Sequence, residues 1–250
     1  MNSDEALHAE TVTITGAGRD AIEAYLAQPV GHGRGGGVVV IHHMPGYDRG
    51  TKEITRRFAT MGYAAVCPNL YSREAPGASP DDAAAAVRSA GGVPDERLVG
   101  DVEGAATHLR RLDGANGRVA VIGYCSGGRQ ALLAGCSLSL QAVVDCYGAF
   151  VLAPPPDGFP VRVAPLGDRL AHLSCPLLGL FGAGDSHPSP EEVAQLDRRL
   201  GELGKEHEFH VLADAGHGFF AVDRPSYSQT AAVRGWELIE QFFGRHLGEG

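Results

Sequence analysis

Apolar residues recur along this chain in short, often β-branched runs, with longer stretches of helical spacing between them. Residues 11–15 and 24–27 read as two opening strands joined in a hairpin. A glycine-rich turn, residues 33–37, leads to Val-Val-Val-Ile at 38–41. That run is apolar on both faces, as a buried parallel strand must be. Residues 51–61 predict a helix and 64–67 the next strand. Ser79-Pro80-Asp81-Asp82 predicts a helix start. A Ser side chain there accepts from an unpaired N–H, and Pro at the first position has no N–H to leave unpaired. This helix passes through residues 83–86 and stops at Gly91-Gly92, and residues 95–112 predict another.

The second half continues the alternation, with strands at 119–124, 142–147, 177–182 and 207–212. Helices are expected over 129–136 and from the capping box Ser189-Pro190-Glu191-Glu192 to about Leu203. A last helix carries Ala232, Trp236, Ile239, Phe243 and Leu247 on one face. A proline-rich loop spans residues 153–165, and loops of that length are often functional. The expected fold class is α/β, with a mostly parallel central sheet of about eight strands and helices on both faces. No repeat or linker interrupts the pattern, so one domain is expected over residues 1–250.

A net charge of −9 argues against nucleic acid or an anionic membrane as partner, since both attract basic faces. No apolar run approaches the roughly 20 residues of a membrane helix. The opening Met1-Asn2-Ser3-Asp4-Glu5 has neither the basic nor the apolar part of a secretion signal. Five cysteines, an odd number without a CxxC pair, suggest reduced thiols and a cytoplasmic protein. The expected partner is a small-molecule substrate, with a monomer or homodimer left open.

Gly123-Tyr124-Cys125-Ser126-Gly127-Gly128 follows a β-branched strand and precedes a helix. This is the nucleophile-elbow pattern with cysteine in the serine position. Side chains two before and two after the nucleophile would collide with backbone in so tight a turn. A helix N-terminus beneath Cys125 favours the thiolate. In this fold the triad runs nucleophile, acid, histidine. Asp185 in Phe181-Gly182-Ala183-Gly184-Asp185 and His217 in Ala215-Gly216-His217-Gly218 each follow an apolar strand. Strand carboxyl ends are where open α/β sheets gather ligands. Asp185 would orient His217, and His217 would move the proton. The Ser126 N–H and the Met44 N–H, in the turn after residues 38–41, are the expected oxyanion donors.

Together with Cys67-Pro68-Asn69-Leu70-Tyr71 and Ala215-Gly216-His217-Gly218-Phe219, these motifs resemble the dienelactone hydrolases, or carboxymethylenebutenolidases, over nearly the whole chain. The resemblance implies an α/β-hydrolase fold and a cysteine-dependent lactone or ester hydrolase without a cofactor. It implies Cys125 as nucleophile, Asp185 and His217 as partners, Met44 and Ser126 as oxyanion donors, and a pocket near Tyr71, Tyr124 and Phe219. Two positions depart from the family. A glutamate that helps control the cysteine's protonation is replaced by His43, which would stand near Cys125 and share its proton. Of the arginines that hold the substrate carboxylate, the one four residues after the histidine is Ala221, and Arg88 is the nearest basic residue to the other. A neutral lactone, ester or thioester is therefore expected. His42, His43, His187 and His217 could in principle gather round a metal, but no HExxH, cysteine pair or helical histidine pair supports one. A non-hydrolytic reaction in the same pocket, a proton transfer, elimination or cyclisation, is the alternative.

Overall fold

The computed structural model describes residues 7–31, 33, 35–159 and 162–248. Strands β1 (Leu7–Thr15) and β2 (Ala21–Pro29) form an antiparallel hairpin at one edge. The following strands are β3 (Gly37–Ile41), β4 (Ala64–Pro68), β5 (Val119–Tyr124), β6 (Ala142–Cys146), β7 (Leu177–Gly182) and β8 (His207–Leu212). They complete one eight-stranded sheet of order β1-β2-β4-β3-β5-β6-β7-β8. β2 pairs antiparallel with β4, and every pairing from β4 to β8 is parallel.

Among the described residues six α-helices cover the sheet: α1 (Arg49–Thr60), α2 (Pro80–Ser89), α3 (Asp95–Arg110), α4 (Ser126–Gly135), α5 (Pro190–Glu202) and α6 (Gln229–Leu247). Strand alternation divides the core in two. Val39, Ile41, Val121 and Val143 pack with α2, α3, α4 and α5. Val38, Val40, Ile122 and Val144 pack with α1 and α6 through Phe58, Trp236, Ile239 and Phe243. Successive side chains of a strand point to opposite faces, so each valine run serves both cores at once.

The capped helices begin where their sequence places them. Ser79 accepts from the Asp82 N–H, and Ser189 and Glu192 form the full capping box. Two starts differ from the sequence expectation. α1 begins at Arg49 because Asp48 caps it, accepting from the Thr51 N–H at 2.8 Å. α4 begins at Ser126, directly after Cys125, although Gly127 and Gly128 are weak helix formers. Those glycines are required by backbone contacts, and the helix is held by packing on β5 and β6. A bidentate pair from Arg73 to the buried Asp101, which also accepts from the Ala17 N–H, anchors the loop after β4 to α3. No described helix is long and apolar enough to cross a membrane.

Candidate active site

Cys125 sits between β5 and α4 with φ 58° and ψ −122°. A non-glycine residue in this region carries strain of order 1–3 kcal/mol, which the surrounding packing must hold. The packing is visible at the neighbouring glycines. A Cβ on Gly123 would lie 1.8 Å from the Gly127 carbonyl oxygen, and one on Gly127 would lie 2.6 Å from that of Ile41. One on Gly128 would meet an Asp145 carboxylate oxygen at 2.2 Å. Only glycine fits, so the sequence spacing has a direct steric cause. Ser126 opens α4, and a helix's first N–H groups have no partner within the helix.

Asp185 follows β7 and His217 follows β8. Their loops are tied together by the Ala183 N–H to Leu212 O and the Gly184 N–H to Ala215 O, both at 2.9 Å. His217 Nδ1 donates to Asp185 Oδ2 at 2.8 Å, and the other Asp185 oxygen accepts from the His187 N–H at 2.9 Å. Asp185 is buried and His217 half-buried. Burial alone would lower the His217 pKa. Hydrogen bonds to Asp185 and to Cys125 outweigh it and push the imidazole up to about 10. Cys125, His217 and Asp185 thus lie in one chain of contacts.

The three residues open onto a cavity of about 460 Å³. Met44, Ser126 and Tyr71 line it, and its other walls are mainly apolar, including Val87, Val93, Phe150, Phe159 and Val163. The Tyr71 hydroxyl donates to Met44 O at 3.0 Å. Phe150 and Phe159 stack edge to face at 4.8 Å, and Phe150 also faces His187. Arg129 reaches this wall from α4 but is held by the Asp95 carboxylate and by Ala164 O. Its charge is therefore neutralised within the protein.

His43, Tyr124 and Phe219 lie elsewhere. His43 Nε2 is bonded to Asp48 Oδ2 at 2.7 Å, and no hydrogen bond joins it to Cys125 among the described residues. The N-cap of α1 is the nearer anion, and it captures the imidazole. Tyr124 has the strand parity of Ala120 and Ile122, so it faces the α1 and α6 core. Phe219 is fully buried against Tyr147 and Phe220. Ala221, His43 and Tyr124 line a second cavity, whose lining residues do not include Cys125. His42 is a core residue. The Leu70 N–H donates to its Nε2, its Nδ1–H donates to His43 O, and burial lowers its pKa to about 4. Among the described residues no three His, Cys, Asp or Glu side chains are grouped as metal ligands.

Sequence reasoning did not single out Tyr147, whose ring lies 5.1 Å from that of His217, nor the Arg129–Asp95 pair. Tyr147 directly follows β6, and the rule that strand carboxyl ends gather the site could have found it. Phe159 and Val163 come from the proline-rich loop, which therefore forms one wall of the cavity.

The fold and this cysteine elbow are those of an α/β hydrolase. The sequence pattern of the dienelactone hydrolase family matches residues 22–247. A "Putative carboxymethylenebutenolidase" of Salmonella typhimurium is 32% identical over 256 residues, covering 98% of this chain and 90% of the relative. A "Probable 2-oxo-3-(5-oxofuran-2-ylidene)propanoate lactonase" of Bradyrhizobium sp. is 29% identical over 232 residues, covering 90% of this chain and 89% of that one. The crystal structure of a "Putative Dienelactone Hydrolase" from Klebsiella pneumoniae superposes with a TM-score of 0.84 at 27% identity, covering 96% and 99% of the two chains. The chain belongs to the dienelactone hydrolase family and is a hydrolase.

Proposed function

We propose that the chain hydrolyses neutral, largely apolar lactones, esters or thioesters, with Cys125 as nucleophile. The observation that carries this reading is the strained Cys125 elbow in contact with a His217 that is bonded to Asp185 at 2.8 Å.

The Cys125 thiolate attacks the substrate carbonyl carbon, and the carbonyl electrons move onto oxygen. The Met44 and Ser126 N–H groups receive that oxyanion. Collapse breaks the bond to the leaving alkoxide or thiolate, which takes the proton from the His217 imidazolium. The acyl-enzyme is a thioester. Neutral His217 then removes a proton from water, the hydroxide attacks the acyl carbon, and the thiolate departs. The products are a carboxylic acid and an alcohol or thiol, or one hydroxy acid from a lactone. Asp185 holds the imidazole in the required tautomer throughout.

A neutral substrate is favoured by the apolar walls and by the neutralisation of Arg129 by Asp95. A carboxylate entering this cavity would lose its water, and the one arginine among the lining residues, Arg129, is already held by Asp95. The test compares kcat/KM for a neutral lactone or aryl ester with that for the same compound carrying a carboxylate. The neutral compound should be favoured by at least about tenfold. A preference for the anion would contradict the substrate assignment, and a ring-opened or rearranged product without a free acid would contradict hydrolysis.

A further inference from the structure

A second cavity, of about 520 Å³, lies on the α1 and α6 side of the sheet. Arg57, Tyr124, Tyr147, Phe220, Ala221 and Trp236 line it, and none of them lines the Cys125 cavity. Its volume falls in the range of small-ligand sites. We propose that it is a binding site for a small aromatic carboxylate.

The aromatic part of the ligand is set by the walls. Phe220 stands edge to face with Tyr124 at 5.6 Å and with Trp236 at 5.4 Å. These rings present a concave apolar surface that a planar ring would fill. The acidic part is set by a hydroxyl without a hydrogen-bond partner and a guanidinium without an ion pair among the described residues. The Tyr124 hydroxyl is buried and makes no hydrogen bond among the described residues. Such a group costs stability until an acceptor reaches it. Arg57 lies with its guanidinium 4.1 Å from the Trp236 ring centre, and among the described residues it forms no ion pair. Glu240 and Tyr124 are both within its electrostatic reach.

Most of the other charges of this cavity are already matched. Arg56 is paired with Glu53, and His43 with Asp48. Asp223 also lines the cavity, near Gly50 at the start of α1, seven residues before Arg57. Arg57 therefore remains on the lining as a cation without an ion pair among the described residues, beside the buried Tyr124 hydroxyl, which a ligand reaches only if the ring shifts; together they are the pair that a carboxylate accepts from. An amide or alcohol of the same shape would satisfy Tyr124 but leave the cation unmatched.

Trp236 is the single tryptophan of the chain and lines this cavity, so its emission reports on binding there. The experiment titrates the full-length protein with 4-nitrobenzoate and, in parallel, with 4-nitrobenzamide. It is repeated on protein alkylated at Cys125 with iodoacetamide, and on the Arg57→Gln and Tyr124→Phe variants. Saturable quenching by the benzoate is expected, at least about tenfold weaker for the amide and for Arg57→Gln, and severalfold weaker for Tyr124→Phe. The alkylated protein should bind as tightly as the free one. Quenching that never saturates, equal affinity for the amide, or an unaltered affinity in Arg57→Gln would overturn the proposal. Loss of binding on alkylation would also overturn it, because the ligand would then occupy the Cys125 cavity. None of these outcomes depends on the enzyme's hydrolytic reaction.

Discussion

The Tyr71 hydroxyl donates to the backbone carbonyl oxygen of Met44 at 3.0 Å and so ties the segment after β4 to the turn after β3. That turn carries the N–H proposed to receive the oxyanion. Removing one such bond costs about 0.5–1.5 kcal/mol, and a loosened donor weakens the transition state more than the ground state. Tyr71→Phe should therefore lower kcat by about three- to tenfold while KM changes little. Steady-state kinetics on a neutral aryl ester measure this. A fall in KM-linked binding alone would show that Tyr71 only shapes the wall.

His217 gives the account a pH signature. Burial would lower its pKa, but hydrogen bonds to Asp185 and Cys125 push it up to about 10. A folded pKa raised above 6.5 favours folding fully below 6.5, and that contribution is lost as pH rises through about 10. The imidazolium should therefore persist through neutral pH, and kcat/KM should decline on the alkaline side only near pH 10. Asp185→Asn should bring that limb down toward neutral pH and lower kcat by at least about a hundredfold. An alkaline limb near 6.5 in the wild type would show that His217 is not held charged.

Phe159 extends from the proline-rich loop onto Phe150. An aromatic contact of this kind contributes about 0.5–1.5 kcal/mol beyond burial. Phe159→Ala should raise KM for a neutral aryl ester about three- to tenfold and change an acetyl-alkyl ester much less. Equal effects on both substrates would mean that the loop acts only on the fold.

Asp145 lies beneath the elbow. Its Oδ1 accepts from the Gly148 N–H at 2.7 Å, and its Oδ2 has no hydrogen-bond partner among the described residues. Burial raises its pKa from 3.8 to about 7, and the Gly148 bond only partly opposes this. A raised folded pKa means that its contribution is present below 3.8 and is lost as pH rises through about 7. Relative to Asp145→Asn, the wild type should lose roughly 2–4 kcal/mol of stability between pH 4 and 8. Urea unfolding at several pH values measures the difference. A difference that does not vary with pH would mean that Asp145 keeps one charge state throughout.

Much of this was legible in the sequence because the deciding forces are local. The β-branched runs at 38–41 and 119–122 fix buried strands, and Ser79 and Ser189 fix helix starts. The elbow glycines betray themselves because no side chain fits there. Long-range partners were not legible. Nothing adjacent in sequence says that Asp48 captures His43, that Arg129 is neutralised by Asp95, or that Phe159 closes on Phe150. Tyr124 follows the parity of β5 to the far core, whereas the resemblance implied a place by the pocket.

Formation of an acyl-enzyme on Cys125 tests the central claim most directly. The wild type is mixed with a slowly deacylating aryl ester, quenched in acid, and its intact mass and peptide map are recorded. The mass should rise by one acyl group carried on the peptide that contains Cys125, and Cys125→Ala should show neither adduct nor turnover. An adduct on another residue, or wild-type turnover by Cys125→Ala, would contradict the assignment of the nucleophile.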